Sequence, residues 1–299
     1  MPVKSPDPQA RVLLFTWQVH WASFVVLALV LGALVWYVAS TRRVVSRGRT
    51  WSVWRTVFFV VGILVVAYAT DGGIAHYEAS NFTAHAVQIF LLTNVGPPLL
   101  ALGAPITLAL QSSSPRTTNW LMTVLHSRAV RALSQPLVAF GLAMGMLFAY
   151  FLTPLYAISE RHPVFLTFLH LLFAVVVMML WILIVGQDRL PRRLGYGMRL
   201  VLAFLLVPFN LALGLAIANV AQPLYPAANT MADTQAGGNV FLGLAEVFAV
   251  VVIALLFVEW AREEERKAVR ADRQLDAALA VARASVGPDK GLPSEPRAN

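Results

Sequence analysis

Seven runs of about 20 apolar residues constrain the fold of this chain more than any other feature of its sequence. A helix needs about 20 apolar residues to cross the hydrocarbon core of a bilayer. Charged residues make up only 13% of the chain, about half the fraction usual in soluble domains. We therefore predict an all-α integral membrane protein, a bundle of seven transmembrane helices. The runs lie near residues 17–39, 52–70, 82–110, 136–157, 163–186, 197–221 and 238–260.

The third run is too long for one straight span and contains Pro97, Pro98 and Pro105. Proline has no backbone N–H, and its ring clashes with the preceding helical turn. The sequence therefore predicts a kinked or broken third helix.

Basic residues predict the orientation of the bundle. All Lys and Arg except Lys4, Arg11 and Arg161 fall on one side of the membrane if the chain crosses it seven times. Cytoplasmic segments carry an excess of Lys and Arg, so the N-terminus is expected outside and the C-terminus in the cytoplasm. This bias accounts for the net charge of +8, and we expect no nucleic-acid partner.

Composition along the chain predicts four parts. Residues 1–16 form a short external segment without a cleavage site for a signal peptidase. Residues 17–260 form the seven-helix membrane domain. Residues 261–284 are charged and Ala-rich, which indicates a cytoplasmic extension of the last helix. Residues 285–299 contain many Gly, Pro and charged residues, a composition typical of a disordered tail.

Four ionisable side chains lie inside the predicted spans, all in the outer half of the membrane: His20, His85, His170 and Glu246. Such residues are costly in hydrocarbon and often functional. The chain has no Cys, so a metal would need His, Met or carboxylate ligands. The same histidines could instead bond to neighbouring helices and fix their packing. Further candidates lie in the adjoining external loops: Asp71, His76, Glu78, His162 and Asp233.

Several enzyme classes lack their minimal parts in this sequence. Lys4, Lys267 and Lys290 all lie outside the spans, which excludes a retinal Schiff base. No H-E-x-x-H, G-x-S-x-G or phosphate-loop motif occurs. We expect the protein not to be an enzyme. Two other functions stay open: a metal or small-solute transporter, and an electron-transfer protein that clamps a haem between His85 and His170.

Ordered sequence blocks point to a family. The stretch 85–88 (HAVQ), followed by 96–105 (GPPLLALGAP), resembles the signature of the CtaG family of cytochrome c oxidase assembly factors. The similarity extends over about residues 17–268. Further agreeing positions are Trp181, Gly186, Asp188, Arg199, Pro223, Asp233, Gly237, Gly238, Gly243, Glu246 and Trp260.

This resemblance implies a multi-pass protein of the bacterial plasma membrane that helps to mature a haem-copper oxidase. Its partners would be the lipid bilayer and subunits of that oxidase. Copper would be delivered at the outer face, where His85 and His170 are expected to be the main ligands and Glu246 and His20 weaker candidates. Neutral imidazole is a competent copper ligand.

The sequence departs from the family pattern at two positions. The pattern has a second His four residues after His85 and another four residues before His170, but Ile89 and Leu166 occupy these positions. A pair of His residues four apart chelates a metal from one helix face. Either His85 and His170 combine across helices with Glu246, His20 or a methionine, or the protein has lost the metal and acts as a scaffold for oxidase subunits.

Overall fold

The computed structural model describes residues 9–17, 21–78, 80–188, 194–225 and 229–286. No β-strand occurs among these residues, which confirms the all-α prediction. The α-helices in chain order are α1 (Ala10–Phe15), α2 (Trp21–Ser46), α3 (Val53–Asp71), α4 (Phe82–Phe90), α5 (Gly96–Leu102), α6 (Pro105–Ser112), α7 (Pro115–Leu125), α8 (Arg128–Leu133), α9 (Pro136–Leu152), α10 (Leu155–Ser159), α11 (Pro163–Val185), α12 (Tyr196–Ala218) and α13 (Met231–Val286).

Within the described part of the chain, six helical segments are long and apolar enough to cross a membrane. The run predicted at 136–157 forms the shorter helix α9, of 17 residues. It ends at Leu152 because Thr153 is extended, the conformation favoured before a proline such as Pro154. The seventh crossing and the orientation stay predictions. The six segments are Ser23–Ser46, Val53–Tyr77, Phe82–Ser112, Pro163–Val185, Tyr196–Ala218 and Met231–Val281.

The third span is broken, as its prolines predict. A π-helical turn, Leu91–Val95, separates α4 from α5, and Ala104 adopts a left-handed conformation (φ 48°) before α6 begins. The carbonyl of Thr93 would accept from residue 97 in an α-helix and from residue 98 in a π-helix. Both residues are prolines, so this carbonyl has no backbone donor within the span.

Trp181 of α11 supplies the missing donor. Its indole Nε1 donates to the carbonyl oxygen of Thr93 at 2.9 Å, and the side chain is buried. An unsatisfied carbonyl is costly where no water can replace the donor. This bond therefore joins α11 to the break in the third span.

We expect Trp181→Phe to lower the free energy of unfolding by about 1–2 kcal/mol, because it removes the only ring N–H while keeping an aromatic side chain. Thermal unfolding in detergent measures the change. Trp120→Phe, at a position that is 63% exposed, is the control and should have little effect. Equal stability of the Trp181 variant and the wild type would contradict the bond.

Two glycines allow α3 and α5 to approach closely. A Cβ at Gly62 would lie 2.8 Å from the backbone nitrogen of Leu100, and one at Gly96 would lie 2.7 Å from Cγ2 of Val66. Small residues at such contacts are typical of membrane helix packing. The close approach fixes α3 beside the broken span and places the loop after α3 next to α4.

The chain divides into two units, Met1–Ile253 and Ala254–Asn299. The predicted boundary between residues 260 and 261 falls inside helix α13. The described part of the second unit is helical throughout, and the side chains of residues 264–281 are exposed. The domain boundaries stay predictions, and residues 287–299 of the predicted tail lie outside the described residues.

Candidate metal site

The start of α4, one turn before His85, is fixed by two polar side chains. Asn81 accepts from a backbone N–H of the first turn at 2.8 Å. Asp233 of α13 accepts from the backbone N–H groups of Phe82 and Thr83. A carboxylate at a helix N-terminus satisfies free donors and complements the helix dipole. These bonds position His85 relative to the neighbouring helices.

His85 of α4 and His170 of α11 meet across the two helices, the arrangement that the first of the two alternatives requires. Their ring centroids lie 6.2 Å apart, and the two side chains are 0% and 1% exposed. Ile89 and Leu166, which replace the second histidines of the family pattern, are also buried. Any shared ligand is therefore held by one histidine from each helix.

Glu78 is the third member of the cluster. It follows the short 3₁₀ helix Ala75–Tyr77 and precedes α4. One ligand atom from each of Glu78, His85 and His170 lies within 4.8 Å of the other two, and within the described chain only this trio of His, Asp or Glu is brought together so closely. Two imidazoles and one carboxylate are suitable ligands for copper, zinc or iron.

Gln88 determines which nitrogen of His85 carries the hydrogen. The Gln88 amide nitrogen donates to the carbonyl of Ala69 and to Oε2 of Glu78, both at 2.7 Å. Because a carbonyl only accepts, the amide oxygen of Gln88 must face Nδ1 of His85, 2.9 Å away. Nδ1 therefore donates, and Nε2 keeps its lone pair. A partner of this kind commonly orients a metal-binding histidine.

Aromatic side chains enclose His85. The Tyr150 hydroxyl lies 3.1 Å from Nε2 of His85 and donates to its lone pair. The ring of Tyr156 stacks on His85, with centroids 4.9 Å apart. A metal at Nε2 would displace the Tyr150 bond in a pocket that excludes water. Two further rings pack against His85, those of Phe82 and Phe151.

His170 differs from His85 because its Nε2 is buried and, among the residues that the structure describes, has no hydrogen-bond partner. Burying an unpaired polar atom costs about 1–3 kcal/mol. Such atoms are rare in native structures and call for a physical explanation. A metal ion shared with His85 and Glu78 would supply the missing partner.

Glu78 of the cluster and the neighbouring Glu160 both favour their protonated forms. Burial, together with the neighbouring Glu160 carboxyl, raises the pKa of Glu78 to about 8, against the opposing hydrogen bond from Gln88. Burial raises the pKa of Glu160 to about 7, and both of its carboxyl oxygens are buried without a hydrogen-bond partner in the described part of the chain. Binding of a cation by Glu78 would therefore release a proton.

The Glu160 carboxyl should make stability depend on pH. Its pKa rises from 4.5 in the unfolded chain to about 7 in the folded one, so the folded state holds the extra proton between these values. The free energy of unfolding therefore falls as the pH rises through this range. We expect Glu160→Gln, which cannot ionise, to raise the free energy of unfolding by about 1–3 kcal/mol at pH 8 and by little at pH 4.5.

Thermal unfolding in detergent at both pH values measures this effect. Glu265→Gln, at an exposed position of α13, is the matched control and should change stability little at either pH. If Glu160→Gln raised the free energy of unfolding equally at both pH values, ionisation of the Glu160 carboxyl would not be the cause of the effect.

The other two predicted ligands are not placed in this cluster. Glu246 lies half-buried in α13 and is not one of the residues whose ligand atoms meet. His20 lies outside the described residues. Their roles as ligands stay predictions.

Gln88 and Tyr150 were not predicted to belong to the site, and Glu78 was predicted only as a further candidate in an external loop. Gln88 follows His85 by three residues, a spacing that puts both side chains on one helix face and could have suggested their contact. Tyr150 comes from α9, so only the packing of the helices reveals it. The same holds for Glu78, whose approach depends on the path of the loop.

Comparison with known proteins identifies the relatives of this chain. The family model described as cytochrome c oxidase caa3 assembly factor (Caa3_CtaG) matches residues 35–263, which include the whole cluster. An uncharacterised protein of Mycobacterium leprae is 32% identical over 270 residues, which are 85% of this chain and 41% of that protein. One from Mycobacterium bovis is 31% identical over 258 residues, 81% of this chain and 39% of that protein.

The chain thus spans about two fifths of the length of the curated relatives it matches. No solved structure matches it. The relatives are bacterial, and six helices within the described residues are apolar and long enough to cross a membrane, so this is a multi-pass membrane protein of a bacterial type.

Proposed function

Because this chain belongs to the cytochrome c oxidase caa3 assembly factor family, we propose that it carries copper to a haem-copper oxidase during assembly. The copper ion is the cargo of a non-catalytic protein in the bacterial plasma membrane. Glu78, His85 and His170 hold it. Two observations carry this proposal: one ligand atom from each of the three residues lies within 4.8 Å of the other two, and Nε2 of His170 is buried without a hydrogen-bond partner among the described residues.

The chemistry of the cluster suits this cargo. His85 presents the Nε2 lone pair, since its Nδ1–H is held by Gln88. Metal bonds to nitrogen or oxygen are about 2 Å long, so two ligand atoms of one ion are at most about 4 Å apart. The ligand atoms of the three residues, which lie within 4.8 Å of one another, therefore need to approach by less than about 1 Å to share one ion. The donor set also suits zinc and iron, and the oxidase assembly role of the family favours copper.

The distribution of Lys and Arg supports delivery at the outer face. With the N-terminus outside, the loop that carries Glu78 and the adjacent starts of α4 and α11 lie on the outer side. The copper-accepting subunit of the oxidase would then approach this side, while the exposed apolar side chains of the spans contact lipid.

The packing around His85 does not favour the haem alternative. Tyr150 and Tyr156 lie directly against the His85 ring and fill the space that a porphyrin would need. The metal-free scaffold stays the main alternative, and the buried unpartnered nitrogen of His170 argues against it.

Copper analysis of the purified protein tests the proposal. The detergent-solubilised protein is loaded anaerobically with copper(I), desalted, and analysed by mass spectrometry of the metal. We expect stoichiometric copper in the wild type and its loss in His85→Ala plus His170→Ala. His162→Ala, at an exposed histidine outside the cluster, is the matched control and should retain copper.

Two results would contradict the proposal. One is a wild type that binds no copper, which would leave the scaffold alternative. The other is equal copper in the wild type and the double variant, which would place the metal elsewhere. A visible absorption spectrum of the same sample tests for haem.

A further inference from the structure

Two neighbouring cavities lined by arginine lie beside α7 and α8. The first, of about 790 Å³, is lined by Arg47 and Arg49 at the end of α2 and by residues of α6 and α7. The second, of about 700 Å³, is a shallower and more open depression of the surface and is lined by Arg128 and Arg131. His126 lines both cavities. We call Arg47, Arg49, Arg128 and Arg131 together the arginine surface.

The positive charge of the arginine surface is not balanced by nearby acidic residues. No Asp or Glu lines either cavity. Residues 8–70 and 79–159, which supply every lining residue, contain no Asp or Glu. All four arginines are exposed, and none has an ion pair within the part of the chain that the structure describes. A concave surface of one charge attracts ions of the opposite charge.

The guanidinium groups are partly preorganised. Arg47 Nη1 donates to the carbonyls of Gln111 and Ser113 at 3.0 and 3.2 Å, which holds its side chain beside the end of α6. Arg131 donates to the carbonyl of His126 at 3.2 Å. Each keeps further N–H donors for a ligand, since a guanidinium has five.

The elements beside these cavities have the character of helices that lie in a membrane interface. Helices α7 and α8 are too short to cross a bilayer, and none of their residues is buried. Helix α7 exposes Trp120, Met122 and Val124 beside polar residues. Basic amphipathic helices with Trp and Leu lie at the boundary between head groups and acyl chains. We therefore expect the arginine surface to lie at head-group depth.

We propose that the arginine surface binds the head group of an anionic phospholipid. Phosphate oxygens match the fork of N–H donors on arginine, and basic pockets beside membrane helices suit anionic head groups. The exposed apolar side chains of α7 provide the adjoining surface for acyl chains. An acidic protein segment shares the negative charge but would not use this apolar surface. The inference is independent of the proposed copper cargo.

Native mass spectrometry of the detergent-purified protein, titrated with phosphatidylglycerol or phosphatidylcholine, tests the proposal. The test variant is Arg49→Gln plus Arg128→Gln, since among the described residues these two side chains, unlike Arg47 and Arg131, make no hydrogen bond. The control is Arg270→Gln plus Arg273→Gln, which removes the same charge from exposed positions of α13. Thermal unfolding verifies that both variants are folded.

We expect phosphatidylglycerol to bind more tightly than phosphatidylcholine. The test variant should weaken phosphatidylglycerol binding roughly 25-fold, about fivefold for each arginine removed, and the control should change it less than twofold. Equal binding of the two lipids, or no effect of the test variant, would overturn the proposal. Binding of glycerol phosphate as tight as that of phosphatidylglycerol would also overturn the proposal, because it would indicate a site for a free anion. Tighter binding of an acidic peptide would overturn it as well, because it would indicate a protein partner.

Discussion

Replacing His85 by leucine is expected to lower the free energy of unfolding of the metal-free protein by about 2–4 kcal/mol. The substitution removes the partner of the Gln88 amide oxygen and of the Tyr150 hydroxyl, both in a buried site. The same change at His170 is expected to cost less than about 1 kcal/mol or to stabilise the protein, because Nε2 of His170 has no hydrogen bond to lose.

Thermal unfolding of both variants in detergent, without metal, measures this contrast. Leucine is similar in size to histidine, so both substitutions keep the core filled and each variant serves as the control for the other. Both are expected to lose copper binding. In this account His85 is held in a hydrogen-bond network, whereas His170 is free to bind a ligand. Equal destabilisation by the two substitutions would contradict these different roles.

Gln88→Leu is expected to weaken copper(I) binding about 10- to 100-fold, although Gln88 is not a ligand. Gln88 holds Nδ1–H of His85 and one carboxyl oxygen of Glu78, so its loss frees two proposed ligands at once. Competition against a chromophoric copper(I) chelator measures the affinity.

Asn210→Leu is the matched control for this substitution. Asn210 is also a buried amide, 2% exposed, but it lies in α12 and outside the cluster. Its substitution is expected to leave copper affinity unchanged. If Gln88→Leu binds copper as tightly as the wild type, Gln88 does not position the ligands, and the proposed arrangement of His85 and Glu78 around copper is contradicted.

Much of the fold could be predicted from local features of the sequence. Long apolar runs and charged ends locate the helices, and the three prolines of the third span locate its breaks. The prediction extended the fourth run to residue 157, although the Thr153–Pro154 step ends the helix earlier. The bond from Trp181 to the carbonyl freed by the prolines could not be predicted, because it depends on how α11 is rotated against the broken span.

The candidate site was predicted only in part. Depth in the membrane was enough to suggest that His85 and His170 are close, since residues at one depth in a small bundle have few other neighbours. The approach of Glu78 depends on a loop, and that of Tyr150 on the packing of α9, so neither follows from spacing. Helix depth also suggested Glu246, but depth does not determine which face of a helix points inward.

The structure shows what the two departures from the family pattern do to the site. Ile89 and Leu166 fill the core where the pattern has histidines, and each remaining histidine faces the other helix. The cluster therefore depends on the relative position of α4 and α11. Asn81 and Asp233, which fix the start of α4, contribute to the site without touching a metal.

X-ray absorption at the copper edge of the copper(I)-loaded protein tests the central claim most directly. We expect two imidazole nitrogens and one oxygen at about 2 Å, and the loss of one imidazole in His170→Leu if any copper remains. Sulfur scattering at about 2.3 Å would contradict the account. In a chain with 8 Met and no Cys, that sulfur would have to come from methionine, and copper would then be bound outside the cluster of Glu78, His85 and His170.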